Sequence, residues 1–90
     1  MFKYRFSKES LKVLEKLNVK TSNSVKRKIK NIGDWLDNKN PLYADIRKLK
    51  GEWKGFYRLK IGQIRVILSI DEKNKILKIH EIGFRGDIYK

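Results

Sequence analysis

Between Lys48 and Arg65 the chain reads KLKGEWKGFYRLKIGQIR, and in each strand-like piece the cations fall on every second residue with apolar side chains between them. Successive side chains of an extended strand point to opposite faces, so Arg58 and Lys60 share one face while Tyr57, Leu59 and Ile61 take the other. In the next run Val66, Leu68 and Ile70 share a face, which leaves Arg65 on the opposite side with Ile67 and Ser69. One face of this sheet is core and the other carries fixed positive charge. Planar guanidinium groups fit phosphate oxygens bidentately and keep their proton, so the chemistry within reach is phosphate binding and the stabilisation of charge that builds on phosphate.

Other side chains offer less. His80 is the lone histidine and titrates nearest neutrality, but a structural or solvent-facing role on a strand is the expectation for it. Glu52, Glu81 and Asp87 are dispersed, with no pair or cluster at the spacing of a metal site or a glycosidase dyad. Gly51, Gly55 and Gly62 follow neither a P-loop nor a dinucleotide pattern. Neither a metal nor a cofactor is expected.

Composition narrows the partners. Ninety residues make a single domain, 1–90, with a modest core. A net charge of +13, spread over both halves, marks a polyanionic partner such as nucleic acid. Zero cysteines exclude disulfides and thiolate metal sites. No apolar stretch approaches the roughly 20 residues of a membrane span or the h-region of a signal peptide, so a cytoplasmic protein without membrane contact is expected.

The elements that must hold the cations follow from periodicity. Phe2, Tyr4 and Phe6 alternate with Lys3 and Arg5 as a short half-buried strand. Ser7 caps a helix whose stripe is Leu11, Val13, Leu14 and Leu17. Asn18 to Ser24 reads as a polar connection, and Thr21 or Ser22 starts a second helix with Val25, Ile29, Ile32 and Leu36 on one face. Asn38 to Pro41 ends it. Strands follow at about 46–50, 55–61, 64–70 and 75–83, joined by links short enough only for antiparallel neighbours. The expected fold is α+β, a small antiparallel sheet with an N-terminal strand and a helical hairpin on one face, written β-α-α-β-β-β. Ile82 follows Ile79 by three positions, so a bulge near His80-Glu81 would return it to the core; placing Ile82 on the other face is the alternative. Lys26, Arg27, Lys28 and Lys30 read as a solvated helix face, and Trp35 as packing at the core edge. Trp53 either caps the sheet edge or stacks on a base.

The run Tyr57-Arg58-Leu59-Lys60-Ile61-Gly62-Gln63-Ile64-Arg65-Val66-Ile67 follows Lys48-Leu49-Lys50-Gly51 and precedes Ile82-Gly83-Phe84-Arg85 and Asp87-Ile88-Tyr89. Together these segments resemble the RelE/ParE toxin superfamily over nearly the whole chain. The resemblance implies a type II toxin–antitoxin toxin, held inactive by a cognate protein antitoxin. In its RelE-like branch it implies an endoribonuclease that cuts messenger RNA in the ribosomal A site without a metal; in its ParE-like branch, a gyrase inhibitor that is no nuclease. Carried over by motif, the catalytic set is Arg58, Lys60, Arg65, Arg85 and Tyr89. Two positions depart from the pattern: Ile64 replaces the usual aromatic before the second arginine, and Phe84 the usual His or Lys before the third.

Self-cleavage of RNA through its 2′-hydroxyl needs a base, charge stabilisation for the phosphorane, and an acid at the leaving 5′-oxygen, and it yields a 2′,3′-cyclic phosphate. Arg58, Arg65 and Arg85 suit the stabilising task. Tyr89, Lys60 and His80 stay open as the base, Tyr89 only if cations around it draw its proton off. Groups this weak suit a ribosome that positions the message. Lys48, Lys50 and Lys54 are expected as RNA backbone contacts, and an acidic, partly disordered antitoxin complements the basic sheet. RelE-type cleavage is the favoured reading; the alternative is a ParE-like gyrase inhibitor or a non-catalytic RNA-binding module.

Overall fold

The computed structural model describes residues 2–38 and 46–84. They form β1 (Lys3–Phe6), α1 (Lys8–Lys16), α2 (Val19–Asn38), β2 (Ile46–Lys48), β3 (Tyr57–Ile61), β4 (Ile64–Asp71) and β5 (Ile76–Phe84), with a short 3₁₀ turn at Gly51–Trp53. The sheet order is β1-β5-β4-β3-β2. The α+β class and the helical hairpin on a small sheet are as expected, with two amendments. Four strands follow the helices where the β-α-α-β-β-β string has three, and β1 enters parallel to β5 while every other pair is antiparallel. The parallel edge arises because the helical hairpin, long enough for a crossover, separates β1 from the later strands.

Helix α2 supplies Val25, Ile29 and Ile32, all fully buried, at the spacing of one helical face. Leu59, Val66, Leu68, Leu77 and Ile79 meet them from the sheet, each worth roughly 1.5–3 kcal/mol when removed from water. The expected polar connection proves to be helix. Asn18 Oδ1 accepts the Thr21 N–H at 2.8 Å and so caps α2 at its first turn. Exposed Val19 and Lys20 hide that turn from an apolar-stripe reading. Pro41, expected just beyond the helix, lies outside the described residues.

Ser7 holds α1 as expected and does a second task. Its Oγ accepts the Ser10 N–H at 3.1 Å, while its O–H donates to the His80 carbonyl at 2.7 Å. That carbonyl belongs to the bulge: Ile67 pairs with Glu81 and Leu68 with Ile79, so His80 is the extra residue. The bulge restores Ile82 to the core at 5% exposure.

Gly33 shows why α2 and β1 sit so close. A Cβ added there would overlap the Tyr4 hydroxyl, which donates to the Lys30 carbonyl at 3.0 Å. Gly33→Ala is therefore expected to destabilise the fold by about 1–2 kcal/mol, although alanine is the better helix former by about 1 kcal/mol. In a Tyr4→Phe background the same substitution should cost much less, since the hydroxyl overlap is gone and only the ring carbon at 3.1 Å and the Phe2 Cβ at 3.4 Å stay close. Urea denaturation of the four proteins checks this reduction.

Candidate functional site

The face of the sheet away from the helices gathers charge by register. Arg47 stands opposite Arg58 and Lys60 opposite Arg65, two like-charged pairs side by side across β2, β3 and β4. Directly opposed residues on an antiparallel pair have Cβ atoms only about 4.5–5.5 Å apart, so each pair costs stability, roughly 0.2–1 kcal/mol. Arg47 was not singled out from sequence, because its place depends on the β2–β3 register. That register also puts Lys48 opposite Tyr57, on the other face from Arg58. Lys48, Lys50 and Lys54 therefore lie apart from the cation cluster, at one end of the hairpin.

The clustered cations differ in how freely they can meet a ligand. Lys60 is exposed. Arg58 is half-buried, and its Nε is inaccessible without a hydrogen-bond partner, an orphan donor beside the cluster. Arg65 is only 6% exposed, and its Nη1 donates to the Gly62 carbonyl at 3.1 Å and the Ile64 carbonyl at 3.3 Å. It braces the β3–β4 turn, which leaves only its remaining donors for a phosphate. Arg85 and Tyr89 lie outside the described residues.

This face is not purely cationic. Ile67, between Arg58 and Glu81 in register, is fully buried yet stands outside the main core cluster. Beside it lies a chain of rings: Trp53 meets Phe56 edge-on at 5.7 Å, and Phe56 meets His80 at 4.7 Å and 64°. Trp53 thus packs at the sheet's edge against a neighbouring ring. The bulge aims His80 onto the face, where its Nε2 lies 2.8 Å from Ser69 Oγ. Trp35 and Tyr57 pack against the core on the opposite side, as expected.

Burial holds the His80 pKa below its ordinary 6.5, helped by Lys78 and opposed by Glu81. Below pH 6.5 the unfolded chain takes up a proton that the folded one resists, so this group lowers stability as pH falls, until the folded imidazole itself protonates. His80→Gln should flatten that part of the stability curve, as chemical denaturation between about pH 5 and 7.5 will read. Among the described residues no three His, Asp or Glu gather into a metal site, and no helix is long and apolar enough to cross a membrane.

The fold that carries this face has known counterparts. The archaeal RelE–RelB complex of Pyrococcus horikoshii OT3 superposes with a TM-score of 0.72 at 26% identity, covering 96% of this chain and 97% of that one. The RelBE2 toxin–antitoxin complex of Mycobacterium tuberculosis gives 0.70 at 23%, over 93% and 98%. The YoeB/ParE toxin of Agrobacterium tumefaciens gives 0.73 at 14%, over 93% and 99%, a likeness of fold alone. No curated protein sequence matches the chain. The family model for the ParE toxin of type II toxin–antitoxin systems, parDE, matches residues 4–89, a span that takes in both helices, the described strands from the second residue of β1 onward and the cationic face. By that match the chain belongs to the ParE toxin family of the RelE/ParE superfamily, the toxins of type II toxin–antitoxin systems.

Proposed function

We propose that this toxin is a ribosome-dependent, metal-independent endoribonuclease that cuts messenger RNA in the A site through the RNA's own 2′-hydroxyl, acting in the cytoplasm until an acidic antitoxin covers it. The observation that carries the reading is the pair of like-charged contacts, Arg47 with Arg58 and Lys60 with Arg65, packed on one sheet face. Four cations held together at a cost in stability are a feature that a polyanion would relieve.

In this reading the scissile phosphate lies over Arg58 and Lys60. The Arg58 guanidinium stabilises the phosphorane, and Arg65 both braces the turn and adds its charge from beneath. Arg85 adds a further guanidinium. Tyr89, Lys60 or His80 takes the 2′-proton. Of these, His80 is held neutral by burial, the state a base needs, and it lies on the same face as Arg58 and Lys60. The bond from phosphorus to the 5′-oxygen breaks as the 2′-oxygen attacks, leaving a 2′,3′-cyclic phosphate, and the departing 5′-oxygen takes a proton from water to become a 5′-hydroxyl.

Primer extension on translated messages tests this: induction should produce cuts at A-site codons, and their absence overturns the reading. The family model that matches is that of the ParE toxin, and this favours a second reading, the gyrase inhibition that the resemblance implies for the ParE-like branch. Loss of plasmid supercoiling by gyrase in the toxin's presence, with messages intact, would establish that one instead.

A further inference from the structure

The β2–β3 connection is built more firmly than a linking loop needs to be. Leu49 N–H donates to the Phe56 carbonyl at 3.0 Å, and within the loop Lys54 N–H donates to Gly51 at 3.1 Å and Phe56 N–H to Trp53 at 3.0 Å. These bonds hold open a cleft of about 500 Å³. Its floor is apolar and aromatic, made of Leu49, Phe56, Tyr57 and Ile70; Lys48, Lys50 and Lys54 line its rim, all exposed, and among the described residues no carboxylate lines it.

Size and shape limit the occupant. The volume falls within the roughly 300–1,000 Å³ of small-ligand sites. Among the described residues every one that lines it except Ile70 comes from one hairpin, so the cleft is a local pit. An amphipathic helix docks through anchors spread over several turns and needs a longer trough. An aromatic floor under a ring of ammonium groups matches one nucleotide: a base has a flat face to stack, and its flanking phosphates carry the charge the rim lacks. Lysines are compact point charges without a planar fork, which suits backbone contact at any sequence.

The pit and the cation cluster lie on opposite faces of the same hairpin, since Lys48 and Tyr57 follow Arg47 and Arg58 by one register step and so point the other way. Phe56 lines the pit and also touches the His80 ring. We propose that this cleft holds one nucleotide of single-stranded RNA, its base against Phe56 and Tyr57 and its flanking phosphates on Lys48, Lys50 and Lys54. It is a subsite on the other side of the hairpin from the phosphate bound at Arg58, with Phe56 between the two, and it rests on the RNA-directed reading of the cationic face.

The test follows the Leu49 and Ile70 methyl resonances of the full chain while a 2′-O-methyl hexaribonucleotide, which has no free 2′-hydroxyl, is added. Ring currents from a seated base should shift both methyls, and the same hexamer with abasic sites should leave them in place. Replacing the three rim lysines by glutamine should weaken hexamer binding about tenfold and reduce its salt slope by about 2, near 0.7 for each lost phosphate contact. Methyls that stay put at saturation, that respond equally to the abasic strand, or that move only with an Asp/Glu-rich peptide overturn the proposal. Primer extension keeps the two readings apart. Methyl shifts without A-site cuts leave the subsite standing and remove the nuclease, whereas cuts without methyl shifts do the reverse.

Discussion

An Arg58→Met variant is expected to lose at least about 100-fold of message-cutting activity while melting no lower than the wild type. Methionine keeps an apolar stem of similar reach on the sheet face, so the packing beside buried Ile67 survives. What leaves is the guanidinium. Its departure relieves the contact with Arg47 directly opposite and removes an Nε that is buried without a partner. Relieving a like-charged pair returns about 0.2–1 kcal/mol, which in a domain of this size raises the melting temperature by a few degrees. Activity and stability therefore move in opposite directions, which a purely structural arginine would not allow. Arg58→Lys should fall between, since the charge remains but the bidentate fork is gone. Arg65→Met should behave differently and lose both activity and stability, because the Arg65 Nη1 binds the carbonyls of Gly62 and Ile64 in the β3–β4 turn. If Arg58→Met melts several degrees lower and its activity falls only in step with its folded fraction, the phosphate role of Arg58 is wrong. Primer extension and thermal melting on the same preparations decide.

The parts of this fold that are local in sequence are legible there. Alternation places β3 and β4 to within a residue or two, Ser7 announces α1, and the three-residue step from Ile79 to Ile82 raises the bulge as one of two readings, between which the β4–β5 register decides. What the sequence hides is pairing between distant segments. Arg47 becomes part of the site only through the β2–β3 register, and β1 joins β5 in parallel through a crossover that no periodicity records. Arg65 alternates onto the cationic face as expected, but its burial depends on how its side chain folds back on the turn. The rim lysines, expected as loose backbone contacts, turn out to ring a cleft, which only the closed loop from Leu49 to Phe56 creates. Arg85 and Tyr89, two of the five residues carried over by motif, fall outside the described residues, so their roles stay those of the resemblance.

Ser7→Ala is expected to destabilise the protein by on the order of 2–4 kcal/mol, more than a helix cap alone explains. An N-cap serine replaced by alanine costs about 1 kcal/mol, here by leaving the Ser10 N–H without its 3.1 Å partner. The remainder comes from the bulge. His80 has no residue opposite it on β4, and Ser7 O–H supplies its carbonyl with a hydrogen bond at 2.7 Å. Leaving a part-buried carbonyl unsatisfied costs a further 1–3 kcal/mol or so. The two bonds can be separated by chemistry. Ser7→Asp keeps an oxygen that accepts from Ser10 N–H, but an ionised carboxylate has no proton to donate and turns its charge toward the carbonyl. It should therefore rescue the cap and still lose the bulge, remaining well below wild type, whereas Ser7→Thr keeps both bonds and should stay close to it. The consequence reaches the functional face, because the bulge aims His80 at Ser69 and seats its ring on Phe56. In Ser7→Asp, but not in Ser7→Thr, the His80 titration followed by NMR should move back toward its ordinary value as the ring loses its seat. A Ser7→Asp protein as stable as wild type, with an unmoved His80 titration, would show that the cap is all Ser7 contributes and that the bulge stands without it.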